Sequence, residues 1–153
     1  MPLSAKNWIV ETDWLAQHLE APDLVVFDAS WHLPDAKRDQ SAEYRQAHIP
    51  GALFFDIDDL VDEKWQLPHM LPSTVKFASR MKKMGVGDGM RIVVYDVDGL
   101  YSAARAWWTF RVMGHEDVAV LNGGLKKWIG EDRPVEDGPP PRRSERHYTP
   151  RLN

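Results

Sequence analysis

At 153 residues, with 43% apolar side chains, the chain is long enough for one domain that buries about two-thirds of the surface its unfolded form exposes. Its net charge of −4 comes from interspersed acids and bases and argues against a nucleic-acid partner, while six scattered histidines without a cysteine give no zinc spacing and no thiol chemistry. No run approaches the roughly 20 apolar residues of a membrane span and the opening MPLSAKNWIVET has no apolar signal core, so a soluble, cytoplasmic monomer with no membrane partner is expected.

Trp8 to Val10 reads as a short strand, and Thr12 and Asp13 as the start of a helix whose stripe is Trp14, Leu15 and Leu19. Leu24 to Phe27 is a second, buried strand that delivers Asp28-Ala29-Ser30-Trp31 to its carboxyl end. In an open α/β sheet that edge carries function. Ser41 to Ala47 reads as a brief helix, His48-Ile49-Pro50-Gly51-Ala52 as a turn, and Leu53 to Phe55 as a third strand followed by Asp56-Ile57-Asp58-Asp59. Leu60 to Pro72 is a long irregular connection. Ser73 or Thr74 then caps a helix carrying Val75, Phe77, Ala78, Met81 and Met84, which Gly85 and Gly87 stop.

The stretch Arg91 to Gly114 organises the whole. Ile92, Val93, Val94 and Tyr95 form a continuous β-branched and aromatic strand of the kind covered on both faces; a polar loop follows, and Ser102 is expected to cap a helix from Ala103 to Met113. A loop leading from a parallel strand into a helix N-terminus gathers N–H donors at the positive end of the dipole, where α/β domains hold an anion or a nucleophile. Asp96 stands at the mouth of that cradle, either as a nucleophile or as a group that fills and disables it. Val118 to Leu121, the turn Asn122-Gly123-Gly124 and a helix with Leu125, Trp128 and Ile129 complete the α/β alternation. This predicts an open parallel sheet with helices on both faces over residues 1–130. From Glu131 the composition changes to five prolines and many charges without apolar periodicity, so 131–153 reads as a linker or extended arm of something longer.

Two chemistries compete for this pattern. VVYDVDG has the Asp-x-Asp-Gly of haloacid-dehalogenase-like phosphatases, in which Asp96 would attack phosphorus and Asp98 and Mg²⁺ would assist; only about one βα unit follows, too little for the rest of such a site. The second rests on several segments in order: Asp28-Ala29-Ser30-Trp31, His48-Ile49-Pro50-Gly51-Ala52 with Phe54-Phe55-Asp56-Ile57-Asp58, His69-Met70-Leu71-Pro72, Tyr101 to Trp108, and Leu121 to Trp128. Together they resemble the N-terminal half of the tandem rhodanese family, the thiosulfate and 3-mercaptopyruvate sulfurtransferases.

The resemblance implies a rhodanese-like fold and a two-domain sulfurtransferase without a cofactor or metal. A cysteine in the missing second domain would take a sulfane sulfur from a small anionic donor as a persulfide and pass it to a thiol or cyanide. A helix N-terminus lowers that cysteine's pKa. Asp96 matches the cysteine's position here and is expected to be structural, so this chain alone is expected to be inactive. Trp31 matches an aromatic wall of the family's pocket, although a packed core Trp is the plain reading. His48 matches a histidine that in mercaptopyruvate-type members joins an acid, matched here by Asp39, and a serine of the other half in a proton relay; its plain reading is a turn residue. Tyr101 is expected to face the same cleft, and Met70, Leu71 and Pro72 to supply packing. Of Trp107 and Trp108, adjacent on one helix, at most one fits its buried stripe. A free-standing rhodanese-like binding module is the rival reading.

Overall fold

The computed structural model describes residues 8–61, 71–98 and 102–152. Strands β1 (Ile9–Val10), β2 (Leu24–Asp28), β3 (Leu53–Phe54), β4 (Arg91–Tyr95) and β5 (Val118–Leu121) pair only in parallel, in the order β1-β5-β4-β2-β3. Helices α1 (Thr12–His18), α2 (Gln40–Gln46), α3 (Thr74–Lys83), α4 (Ala103–Val112) and α5 (Gly124–Gly130) connect them. A single 3₁₀ turn at Pro34–Ala36, absent from the sequence reading, lies between β2 and α2.

Every residue of β2, β4 and β5 is buried, which is why Leu24 to Phe27, Ile92 to Tyr95 and Val118 to Leu121 are unbroken apolar runs rather than alternating ones. Successive side chains still leave on opposite faces. Val25, Phe27, Ile92, Val94, Val118 and Val120 meet Phe77 and Met81 of α3 and Ala106 and Phe110 of α4. Leu24, Val26, Val93, Tyr95, Ala119 and Leu121 meet Leu15 of α1, Tyr44 of α2 and Leu125 and Trp128 of α5. Phe110 is the hub of the first layer, its ring 5.3 Å from Phe77, 5.5 Å from Phe55 and 5.6 Å from Phe27.

Ser73 caps α3 as expected, its hydroxyl accepting the Lys76 N–H at 3.1 Å. Ser102 does not cap α4: it has right-handed helical backbone angles and its side chain makes no capping bond. The Asp96 carboxylate takes that place, accepting the Ala103 N–H at 2.9 Å.

The tail from Glu131 has no helix, as its prolines dictate, yet it is held against the domain rather than trailing from it. Glu136 and His48 exchange backbone hydrogen bonds of 2.9 Å in both directions, and the Gly138 N–H reaches the Arg45 carbonyl at 2.7 Å. Further on, the Asp88 N–H reaches the His147 carbonyl, the Thr149 N–H donates to the Asp88 carboxylate, and the Arg151 N–H reaches the Met113 carbonyl. Between these ties Tyr148 is driven into the core at 3% exposure, against Phe77 and the stacked ring of His115. The composition made this segment look free because a single aromatic among charges and prolines carries no period.

Candidate functional site

The register of the sheet gathers polar residues at its carboxyl edge. β2 and β4 pair from Leu24 opposite Arg91 to Asp28 opposite Tyr95, so Asp28 and Asp96 end adjacent strands one step apart. The loop after β4 is pinned from two sides. Asp96 Oδ2 takes the first N–H of α4, while the Asp96 and Val97 carbonyls accept the Leu125 and Lys126 N–H groups of α5 at 2.9 and 3.0 Å. Asp96 is 2% exposed, and its carboxylate fills the anion-attracting N-terminus of α4. Asp98 turns instead to Lys126, 2.9 Å away, which holds its carboxyl below the usual range. The two acids of Asp-x-Asp-Gly therefore diverge, and among the described residues no cluster of three His, Cys, Asp or Glu side chains could hold a metal ion.

Asp28 accepts the Ser30 N–H at 2.9 Å and is held by the Tyr95 hydroxyl; burial pushes its carboxyl up. Trp31 leaves the same loop half-buried against the core, its indole N–H donating to Asp58 Oδ1 at 2.9 Å. Gln40 donates to the other Asp58 oxygen at 3.0 Å, and the Asp58 N–H donates to Asp56 at 3.0 Å. Asp59 next to them is occupied by Arg80, at 2.8 and 3.3 Å. The indole is thus fixed by hydrogen bonding at its edge, leaving the orientation of the ring set rather than free to rotate.

His48 and Asp39 are not brought together. Asp39 caps α2, its Oδ1 accepting the Ala42 N–H at 3.0 Å. His48 is fully buried and stacked on Tyr44, ring centroids 4.1 Å apart. Its Nδ1 lies 2.8 Å from the Tyr44 carbonyl and its Nε2 3.2 Å from Glu136 Oε1, which also accepts the Gly51 N–H at 2.7 Å. Both ring nitrogens face oxygen, and the acid at hand is Glu136. No sequence signal could have found it, because the pair spans 88 residues and Glu136 sits in an aperiodic tail. Asp58, by contrast, lay inside a quoted motif, and only its partner was unforeseen. His32 was also missed; its Nε2 is 3.0 Å from Glu43, which Arg38 holds bidentately. Tyr101, His69 and Met70 lie outside the described residues.

On α4, Trp107 is the inward ring: it packs against the core, donates to the Val118 carbonyl at 3.1 Å and leans on Trp8. Trp108 is 47% exposed, with Arg105 over its face.

Against known proteins, residues 11–131 match the family model described as a rhodanese-like domain. The chain is 48% identical over 134 residues to thiosulfate/3-mercaptopyruvate sulfurtransferase 1, mitochondrial, of Arabidopsis thaliana, covering 88% of this chain and 35% of that one. It is 44% identical over 133 residues to the 3-mercaptopyruvate sulfurtransferase of Escherichia coli K12, covering 86% and 47%. The crystal structure of SseA from Escherichia coli, a 3-mercaptopyruvate sulfotransferase with the rhodanese fold, superposes with a TM-score of 0.90 at 40% identity, over 96% of this chain and 56% of that one. The chain thus spans from about a third to about half the length of these relatives.

Proposed function

The chain belongs to the rhodanese family, and on that premise we propose that it is the N-terminal, non-catalytic domain of a tandem thiosulfate/3-mercaptopyruvate sulfurtransferase. The whole enzyme would move a sulfane sulfur from a small anionic donor to a thiol or cyanide, through a cysteine persulfide in a second domain. The observation that carries this reading is Asp96. It stands between β4 and α4 where a nucleophile would stand, but it is an oxygen acid already bonded to the Ala103 N–H, in a chain without cysteine. Such a loop is a stabilised scaffold, and the sulfur must be carried elsewhere. The phosphatase reading loses its support with Asp96 and Asp98 turned to different partners.

In the proposed enzyme this half supplies walls to the cleft. Trp31, oriented by Asp58, and Tyr101 are the residues proposed to bind the donor, and the tail beyond residue 131 would lead to the second domain. His48 would serve the proton relay, with the Glu136 carboxylate rather than that of Asp39 holding its ring, because Glu136 is the acid in contact. This favours mercaptopyruvate as donor, since pyruvate leaves with a proton to be managed. The proposed compartment is the cytoplasm; among the described residues no helix is long and apolar enough to cross a membrane.

The test compares the 153-residue chain with the protein extended through the rest of its reading frame, each assayed with 3-mercaptopyruvate and with thiosulfate, cyanide as acceptor. The short chain is expected to be inert and the extended protein to turn over. An extended frame without a cysteine-bearing α/β unit would reject the proposal in favour of a free-standing binding module. In the extended protein His48→Ala should remove mercaptopyruvate turnover and spare thiosulfate; equal loss of both would reject the relay.

A further inference from the structure

The tail leaves a cavity whose charge the sulfur-transfer reading does not use. It measures about 410 Å³, within the range of ligand pockets, and lies between the edge strand β3, the end of α3 and the tail. Phe54, Met84, Pro140 and Pro141 give it an apolar wall. Prolines have no N–H to offer the outer side of β3, so this part of the tail cannot close the gap by pairing with the strand. Lys83, Arg142 and Arg143 line the same space against a single acid, Glu145, which leaves the lining with a charge of +2 in a chain whose net charge is −4.

These cations differ from their neighbours on α3. Lys76 and Arg80 close on Asp59, at 3.8 and 2.8 Å, whereas among the described residues no carboxylate forms an ion pair with Lys83, Arg142 or Arg143. Lys83 and Arg142 are exposed, and Arg143 is half-buried with its stem fixed. The stem lies over Gly85, where a methyl group would overlap Arg143 Cβ and the Ser144 carbonyl and crowd Nε. Nε is closed off there, so the terminal guanidinium nitrogens are the ones left to meet a ligand. Burial, and then the charge of Arg146, pull this guanidinium below its ordinary range, and an anion would draw it back up. We propose that this cavity binds a small phosphate monoester that carries a flat apolar group. The dianion matches the charge of the lining, Arg143 offers a fork of N–H donors to two phosphate oxygens, and Lys83 and Arg142 close on the third. The flat group lies on Phe54, Met84 and the two prolines. A carboxylate would leave half of the positive charge unmatched, and inorganic phosphate would leave the apolar wall in water.

The test titrates phenyl phosphate into the 153-residue chain and follows the backbone amide shifts of Phe54, Met84 and Arg143, with inorganic phosphate as the anion without a ring and benzyl alcohol as the ring without a charge. The expected result is saturable binding in the millimolar range or tighter, at least about tenfold stronger than either control and weakened by added salt. Arg143→Gln should cost about tenfold and Lys83→Gln, at an exposed position that the fold does not need, several-fold. Glu145→Gln should tighten binding. Lys127→Gln, the same loss of charge on α5, should leave it unchanged. Shifts that are linear in concentration, phenyl phosphate no tighter than inorganic phosphate, or equal losses in Arg143→Gln and Lys127→Gln would overturn the site. A phosphotyrosine peptide bound more tightly than phenyl phosphate would overturn the small-molecule reading in favour of a protein partner. The measurement involves no sulfur transfer, so its failure leaves the sulfurtransferase reading intact, and the reverse holds too.

Discussion

The two edges of the sheet handle polar groups in opposite ways. At the amino edge the chain covers its own loose ends: the tail lies along the loops before β4 and β5, Tyr148 fills the core, and Arg91 closes on Asp23 with two bonds of 3.0 Å. At the carboxyl edge Asp28, Ser30 and Asp96 are buried as polar groups, and two helix N-termini converge on one loop. The first edge gains stability from packing, and the second keeps unfavourable burial where a site is wanted, as functional edges do. Substitutions at the two edges should therefore differ in kind.

The largest effect belongs to the covered edge. Tyr148→Ala removes a ring packed against Phe77 and His115 and opens a cavity beside α3, so stability should fall by about 3 to 5 kcal/mol in urea unfolding. A loss below about 1 kcal/mol would mean the tail is not part of the domain, and the comparison would break. Gly114→Ala comes next. Gly114 has a φ of +89°, and a methyl group there would overlap the Arg151 carbonyl, so backbone strain and displacement of the tail add to about 2 kcal/mol or more. Gly51→Ala is the control: φ is +81° but the space is open, and only the backbone strain of about 1 kcal/mol is expected.

At the carboxyl edge Asp96→Ala should cost about 1 to 2 kcal/mol, the range for loss of a helix cap, because the Ala103 N–H loses its acceptor. Asp96→Asn retains an oxygen acceptor and should lose less than half of that. Equal losses would show that charge, rather than the hydrogen bond, holds α4 to the loop.

These contrasts also mark what could be read in the linear chain. The five strands were legible within a residue or two, because burial on both faces writes an unbroken apolar run such as Ile92 to Tyr95, and so was the position of Asp96 between strand and helix. Tyr148 was not legible: its burial depends on hydrogen bonds from Asp88, Thr149 and Arg151 that fix a path no periodicity announces. Ser102 was misread because a serine before a helix is a common cap, and the sequence cannot say that a carboxylate seven residues earlier takes its place. The contact between His48 and Glu136 was not legible either: Asp39 was matched through the family resemblance, and only the folded tail brings Glu136 to the ring.

The smallest expected effect sharpens the comparison most, because it differs in sign between the edges. His115 is buried at the amino edge, with Nε2 2.6 Å from the Met90 carbonyl and Nδ1 3.3 Å from the Tyr148 hydroxyl, bonds that the neutral ring satisfies. Burial pushes the imidazole below its ordinary value of 6.5, against the Met90 hydrogen bond and the Asp117 and Asp88 carboxylates, which pull it up. Between the folded and unfolded values the unfolded chain binds the proton more readily, so stability is lost as pH falls below about 6.5. Asp28 at the carboxyl edge is pushed above 3.8 by burial, so there the folded chain binds the proton more readily and stability is gained as pH falls through that raised value. Denaturant midpoints from pH 7.5 to 4, compared between the parent, His115→Gln and Asp28→Asn, separate the two. His115→Gln should flatten the decline below pH 6.5, and Asp28→Asn should remove a gain that lies at lower pH. Parallel curves for all three proteins would mean that neither burial is felt in the folded state, and that the two edges differ in shape but not in electrostatics.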